Sequence, residues 1–142
     1  MEPQFHYLDT NVLIHIIEPI TPLTEAQSRF IARLDAGDTF AITSEIALSE
    51  CLVKPFADRR DRVIDAYMSL FESRYGLAVM GVTREILIAA ARLRAASRMS
   101  LPDAIHVSTA EVADCAVFVT EDRRIRVRSM RQTTWTGFEV MQ

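Results

Sequence analysis

Short runs of apolar residues, each too short for a helix, recur along the chain and constrain its fold more than any other feature. Two segments of helical periodicity follow each of the first three runs. Because a strand that is apolar along its length is buried on both faces, such runs are typical of a parallel sheet. Strands that alternate with helices predict an α/β fold in which about five parallel strands lie between helices on both faces. We expect the strands at Phe5–Leu8, Thr39–Thr43, Leu77–Val82, Ala116–Thr120 and Phe138–Met141.

Capping residues, glycine and proline mark the ends of the helical segments. Thr24 and Gln27 have the spacing of a capping box, and Gly37 can close the helix that follows. We expect helices from Asn11 to Glu18, from the Thr24 cap to Gly37, from a Ser44 cap to a stop at Pro55, from Arg59 to Tyr75, from a Thr83 cap to about Ala96, and from Ser100-Leu101-Pro102 onward.

Length and composition place the chain among ordinary globular proteins. With 142 residues, it is expected to form a single domain over residues 1–142. A formal charge of −3 argues against a protein that coats nucleic acid nonspecifically, since such binding depends on many Lys and Arg. Without a secretory leader or a long apolar stretch, we expect a cytoplasmic protein with no membrane association. Cys51 and Cys115 lack the spacing of a zinc or redox motif and are expected to be buried thiols.

Four acidic residues lie where the predicted elements meet one edge of the sheet. Asp9 directly follows the first strand, and Asp122 follows the fourth. Glu50 and Asp103 lie early in helices that begin at the same edge. Each acid alone also suits an ordinary turn, helix cap or solvated position, but four at one edge indicate a cluster. Ligands of open α/β sheets bind beyond the carboxyl ends of the strands, which makes this cluster the candidate site.

A cluster of carboxylates also predicts a cofactor. Acids gathered at one edge repel one another unless a cation compensates their charge. Hard oxygen ligands of this kind suit Mg²⁺ or Mn²⁺. We therefore expect a divalent metal ion at the four acids.

Short motifs around these acids resemble those of the PIN-domain ribonucleases, and in particular the VapC-type toxins of bacterial and archaeal toxin–antitoxin modules. The motifs are Leu8-Asp9-Thr10-Asn11-Val12-Leu13-Ile14, the segment from Ser44 to Ser49-Glu50-Cys51-Leu52, Pro102-Asp103-Ala104-Ile105-His106 and Val119-Thr120-Glu121-Asp122. They occur in the order of the family and span nearly the whole chain. The resemblance implies a PIN-like three-layer fold, a Mg²⁺- or Mn²⁺-dependent endoribonuclease activity, a homodimer, and inhibition by a small antitoxin protein.

The resemblance and the chemistry of phosphodiester hydrolysis together assign a role to each acid. Asp9, Asp103 and Asp122 would hold the metal, while Glu50 would hold the attacking water or help remove its proton. Glu121 competes with Asp122 for the fourth position, although the Thr-x-Asp spacing favours Asp122. The residues expected to orient the carboxylates through hydrogen bonds are Asn11, Ser44 and Thr120.

Contacts with RNA are expected from one histidine and from late arginines. His106 lies one helical turn beyond Asp103 and could contact substrate, although a histidine on an apolar helix is more often packed. The family often has an aromatic residue a few positions beyond the last motif acid, whereas Arg123 and Arg124 follow that acid here. Guanidinium groups bind phosphate well, so these two arginines are candidate RNA contacts. A solvated edge strand is the alternative interpretation of this arginine-rich segment.

Other functions would require different residues at particular positions of this sequence. A catalytically inactive PIN-like module that binds proteins is one alternative, and a general RNA-processing nuclease outside a toxin–antitoxin system is another. A phosphoacceptor receiver domain would need an acid after the third strand and a lysine near the last strands. Val79–Thr83 has no acid, and Lys54 is the only lysine. A phosphatase with an Asp-x-Asp motif is disfavoured because Asn11 occupies the second acid position.

Overall fold

A computed structural model describes residues 4–72 and 76–138 of the chain. Within these ranges the strands are His6–Leu8 (β1), Ala41–Ser44 (β2), Leu77–Met80 (β3), Val117–Val119 (β4) and Arg131–Thr133 (β5). The helices are Thr10–Ile17 (α1), Glu25–Asp35 (α2), Ile46–Ala57 (α3), Asp61–Leu70 (α4), Arg84–Ala96 (α5) and Leu101–Val112 (α6).

These strands form one sheet in the order β3-β2-β1-β4-β5, and every neighbouring pair is parallel. The α/β class and the parallel sheet predicted from the sequence are therefore confirmed. Tyr7 in β1 lies beside Ile42 in β2 and Phe118 in β4. The chain leaves β1 toward β2 on one side and later returns to β4 on the other side. Such a reversal between neighbouring strands opens a crevice beyond their carboxyl ends, where open α/β sheets bind ligands.

Successive residues of β1 enter apolar layers on opposite faces of the sheet. Leu8 belongs to a buried cluster with residues of α1, α2, α3 and α4. Tyr7 belongs to a second cluster with Phe118 and with Val107 and Ala110 of α6. Helices therefore cover both faces of the sheet, as the near-continuous apolar strands predicted.

The fifth strand was predicted in the wrong place. It lies at Arg131–Thr133, whereas Phe138 is outside any strand and residues 139–141 are outside the described residues. Phe138 is nevertheless buried, with its ring centroid 4.7 Å from that of Phe30 and 5.3 Å from that of Trp135. Its apolar character reflects this aromatic cluster, while β5 is an edge strand of mostly exposed residues and needs no apolar run.

The ends of α2 lie where the sequence predicted them, whereas those of α3 and α4 do not. The capping box of Thr24 and Gln27 is present, and Gly37 closes α2 with a φ of 74°. Ser44, predicted as a helix cap, is instead the last residue of β2, and α3 begins after Glu45. Pro55 does not stop α3, which ends two residues later, because a proline in the last turn removes only one hydrogen bond. The helix predicted from Arg59 to Tyr75 is Asp61–Leu70, and residues 73–75 lie outside the described residues.

Cys51 and Cys115 are free and buried, as predicted. Burial raises the pKa of both thiols to about 12. None of the helices in the described ranges is long and apolar enough to cross a membrane.

Candidate active site

Asp9 occupies the crevice between β1 and β4. It is the N-cap residue of α1, with an extended backbone, and its Oδ1 accepts a hydrogen bond of 2.9 Å from the Thr10 amide. Only 4% of the residue is exposed. A buried carboxylate is costly unless hydrogen bonds satisfy it, so its neighbours decide what it can do.

Two polar side chains donate to the other oxygen of Asp9. Thr120 Oγ1, at the end of β4, lies 2.7 Å from Asp9 Oδ2, and Asn11 Nδ2 lies 3.3 Å from the same atom. Thr120 Oγ1 also accepts from the Asp122 amide, while Asn11 Oδ1 accepts from the Glu121 amide. The structure thus brings Asn11 and Thr120 to Asp9, and this network joins the ends of β1 and β4.

Ser44 hydrogen-bonds elsewhere than Asn11 and Thr120, which donate to Asp9. Its hydroxyl accepts a bond of 3.2 Å from the Ile46 amide, at the start of α3. Among the described residues, no hydrogen bond joins Ser44 to any of the four acids. The prediction that Ser44 orients a carboxylate is therefore not supported by its contacts, which instead hold the turn between β2 and α3.

Glu50 reaches the crevice from α3. Its Oε1 accepts a bond of 2.7 Å from Thr10 Oγ1 and lies 2.7 Å from His106 Nε2. Burial alone would raise the pKa of this carboxyl, but the hydrogen bonds from His106 and Thr10 outweigh it and lower the pKa. Glu50 is therefore ionised at neutral pH and held by one oxygen.

His106 lies beside the acids in the protein interior, away from solvent. It is 1% exposed, and its Nε2 is 3.1 Å from Thr10 Oγ1 and 3.6 Å from Asp9 Oδ1. Its Nδ1 is 2.6 Å from the Tyr7 hydroxyl. A side chain so enclosed has no surface to offer an RNA strand, so these contacts favour a supporting role over the predicted substrate contact.

Asp103 lies in the first turn of α6, where Ser100 caps the helix by accepting from the Asp103 amide. Burial raises the pKa of its carboxyl, the Ser100 hydroxyl opposes this shift, and the negative charges of Asp9 and Asp122 raise the pKa further. Asp9 and Asp122 are thus each close enough to Asp103 for their charges to act on it. In contrast to Glu50, whose pKa is lowered, Asp103 is held in an unfavourable electrostatic environment.

Asp122 is paired with Arg124. Its oxygens lie 3.0 Å and 2.9 Å from Arg124 Nε and Nη2, and this hydrogen bonding lowers the pKa of the carboxyl. Glu121 turns elsewhere, since its Oε1 accepts from the amide and the hydroxyl of Thr136. Of the two competing acids, Asp122 is therefore the one whose charge acts on Asp103.

The donor set fits a hard divalent cation in its chemistry. All four acids offer carboxylate oxygens, and burial, together with the charges of Asp9 and Asp122, raises the pKa of Asp103, a shift that a bound cation would oppose. Within the described part of the chain, no three acidic, histidine or cysteine side chains yet converge on one point. Hydrogen bonds to Thr120, His106 and Arg124 hold three of the four acids in their present orientations.

The chain is similar to known proteins in sequence family and in fold. A sequence model of the PIN domain family matches residues 6–129. No curated protein sequence matches the chain significantly. The fold is shared with VapBC2 of Rickettsia felis bound to a promoter DNA fragment, at 15% identity and a TM-score of 0.72, covering 93% of this chain and 99% of that chain.

Two further solved structures have a similar fold. DNA-bound VapBC of Salmonella typhimurium is 20% identical with a TM-score of 0.65, covering 94% of this chain and 99% of that chain. VapC20 of Mycobacterium tuberculosis, a toxin that cleaves the sarcin-ricin loop, is 15% identical with a TM-score of 0.63, covering 80% and 86%. At these identities the likeness is one of fold.

The electrostatics of Asp103 predict that Asp103→Asn stabilises the metal-free protein at neutral pH. Because folding raises the pKa of this acid, its ionised form disfavours the folded state once the pH exceeds that raised pKa. We expect a gain of about 0.5 kcal/mol in the free energy of unfolding, since solvent screens a half-buried charge. Urea unfolding with chelator measures it. At a pH of about 3 the acid is largely protonated in both states, and the gain should disappear; a loss of stability at neutral pH would contradict the assignment.

Proposed function

The chain belongs to the PIN domain family, and we propose that it is a divalent-metal-dependent endoribonuclease that hydrolyses RNA phosphodiester bonds as the toxin of a type II toxin–antitoxin pair. One observation carries the proposal: Asp9 is buried in the crevice between β1 and β4, and its charge and that of Asp122 both act on Asp103. An acidic crevice of this kind suits chemistry on a phosphodiester only if a cation offsets its charge.

We assign Asp9, Asp103 and Asp122 as the residues that would hold Mg²⁺ or Mn²⁺. When bound, the ion would polarise the phosphodiester and neutralise charge on the departing oxygen. Asp9 is already fixed by Thr120 and Asn11, so it supplies the rigid part of the site. Asp122 would exchange its Arg124 partner for the ion more readily, because that arginine side chain is largely exposed.

Glu50 is best suited to orienting the attacking water. Its lowered pKa makes it a weak proton acceptor at neutral pH, since efficient general bases have pKa values near the working pH. One of its oxygens is held by Thr10 and His106. Its other oxygen has no hydrogen-bond partner among the described residues and can accept a bond from water.

An open cleft beside Asp122 provides a path for the RNA backbone. It has a volume of about 480 Å³, within the range of small-ligand sites. Arg123 and Arg126 line it, and among the described residues no ion pair occupies either guanidinium, whereas Arg124 is bound to Asp122. The lining includes Thr120, Asp122, Arg123, Arg126, Thr133 and Thr134.

The toxin assignment rests on the family and on the solved structures that share the fold. Those of Rickettsia felis and Salmonella typhimurium are VapBC complexes, and VapC20 is a toxin. By analogy we propose a small antitoxin as the partner of this chain, a homodimer as its assembly, and the cytoplasm as its location. A general RNA-processing nuclease would use the same chemistry without the antitoxin, and an inactive PIN-like module would use neither.

The first test is cleavage of a mixed cellular RNA pool by purified, antitoxin-free protein with Mg²⁺ or Mn²⁺. We expect discrete fragments that chelator abolishes and that Asp9→Asn reduces by at least about 100-fold, because Asp9 is the fixed ligand. Asp38→Asn, at an exposed acid after α2, is the matched control and should cleave like the wild type. If wild type and Asp9→Asn behave alike across metals and RNAs, the nuclease proposal fails and the binding module is favoured.

The cleft predicts a second, separable effect. Arg126→Gln should raise the KM for RNA several-fold and leave kcat nearly unchanged, since its guanidinium would contact phosphate rather than the reacting atoms. The slope of log affinity against log salt should fall by about 0.7 for each lost phosphate contact on single-stranded RNA. Arg92→Gln removes an exposed arginine on α5 as the control. Equal effects of both substitutions would place the RNA elsewhere.

A further inference from the structure

A line of buried polar contacts runs from the interior of the sheet to Glu50. The Tyr7 hydroxyl lies 2.6 Å from His106 Nδ1, and His106 Nε2 lies 2.7 Å from Glu50 Oε1. Tyr7 is fully buried and His106 almost so. Buried polar groups are nearly always hydrogen-bonded, and here the partners form a chain that ends at a candidate catalytic carboxylate.

The chemistry of the Tyr7, His106 and Glu50 side chains decides which atom donates each of these hydrogen bonds. A phenol is protonated at neutral pH, and the Tyr7 hydroxyl, 2.6 Å from His106 Nδ1, can donate its hydrogen to that atom. A neutral imidazole whose Nδ1 accepts a bond carries its hydrogen on Nε2. His106 then donates to Glu50. Thr10 donates a second hydrogen bond to the same carboxylate oxygen.

The sheet fixes the position of Tyr7, the first member of this series of hydrogen bonds. The Tyr7 ring stacks on Phe118 of the neighbouring strand, with centroids 5.1 Å apart and planes 11° from parallel. The two residues are also paired in the register of β1 and β4. The phenol therefore has little freedom, and the imidazole that it contacts is fixed in tautomer and orientation.

We propose that Tyr7 is a positioning residue, which acts through His106 to hold Glu50 in the orientation that the nuclease reaction needs. The role of Glu50 rests on the proposed function, whereas the tautomer of His106 does not. Tyr7 touches neither the RNA nor the reacting atoms. β1 presents Asp9 at its end. Through Tyr7, whose side chain packs against Phe118 and α6, the same strand also sets the position of Glu50.

The test compares Tyr7→Phe with Tyr67→Phe. Tyr67 is an equally buried tyrosine whose hydroxyl donates to Glu18, 2.5 Å away and outside the site, so its substitution controls for loss of a buried phenol. We expect Tyr7→Phe to lower kcat about tenfold with KM within about twofold of wild type, as for loss of other supporting partners. Tyr67→Phe should keep kcat even where thermal unfolding shows a comparable loss of stability.

Two further readouts separate positioning from general structural damage. In ¹⁵N NMR spectra, wild-type His106 should be the Nε2–H tautomer, and Tyr7→Phe should shift its Nδ1 resonance or mix the tautomers. His106→Gln, which can still donate near the former Nε2, should retain more kcat than His106→Leu. A wild-type His106 protonated on Nδ1, or an unchanged His106 spectrum in Tyr7→Phe, would overturn the inference.

The outcomes also separate this inference from the proposed function. An active wild type whose Tyr7→Phe variant has an unchanged kcat would contradict the inference alone. A wild type that cuts no RNA would contradict the proposed function, and the positioning of Glu50 for that reaction would fall with it.

Discussion

The hydrogen bond from Thr120 to Asp9 is the contact on which the candidate site depends, because it joins the ends of β1 and β4 where the winding of the sheet reverses. Parallel strands bring their carboxyl ends to one edge, but they do not by themselves hold a buried carboxylate there. Thr120, Asn11 and the Thr10 amide satisfy both oxygens of Asp9. The fold thereby fixes one negative charge around which the other acids are arranged.

Folding stability favours acids whose charges are compensated within the protein, whereas metal binding favours acids whose charges are left for a cation to neutralise. Hydrogen bonds compensate Asp9 and Glu50, and Arg124 compensates Asp122. Asp103 has weaker compensation, and burial together with the charges of Asp9 and Asp122 raises its pKa. Sites that bind cations commonly keep such uncompensated charge, which lowers the stability of the metal-free protein and favours the metal-bound one.

Sequence patterns predicted the parallel sheet because its interior strands are buried on both faces and leave continuous apolar runs. They misplaced β5, since an edge strand such as Arg131–Thr133 carries no such run and the apolar Phe138 serves an aromatic cluster instead. The acids could be placed at one edge because Asp9 and Asp122 follow strands, while Asp103 and Glu50 lie in the first two turns of helices that begin at that edge. Tyr7 and Thr10 were missed, because a buried tyrosine and a threonine beside a motif acid signal nothing until the fold brings His106 to them.

Divalent metal binding at Asp9 is the property on which the proposed nuclease activity depends most directly. Titration of Mn²⁺ into the metal-free protein, followed by calorimetry or by electron paramagnetic resonance, measures it without reference to any RNA. We predict saturable binding by the wild type and a loss of at least about tenfold in affinity for Asp9→Asn. Equal Mn²⁺ affinity in the two proteins, or no binding by the wild type, would contradict a metal site organised around Asp9.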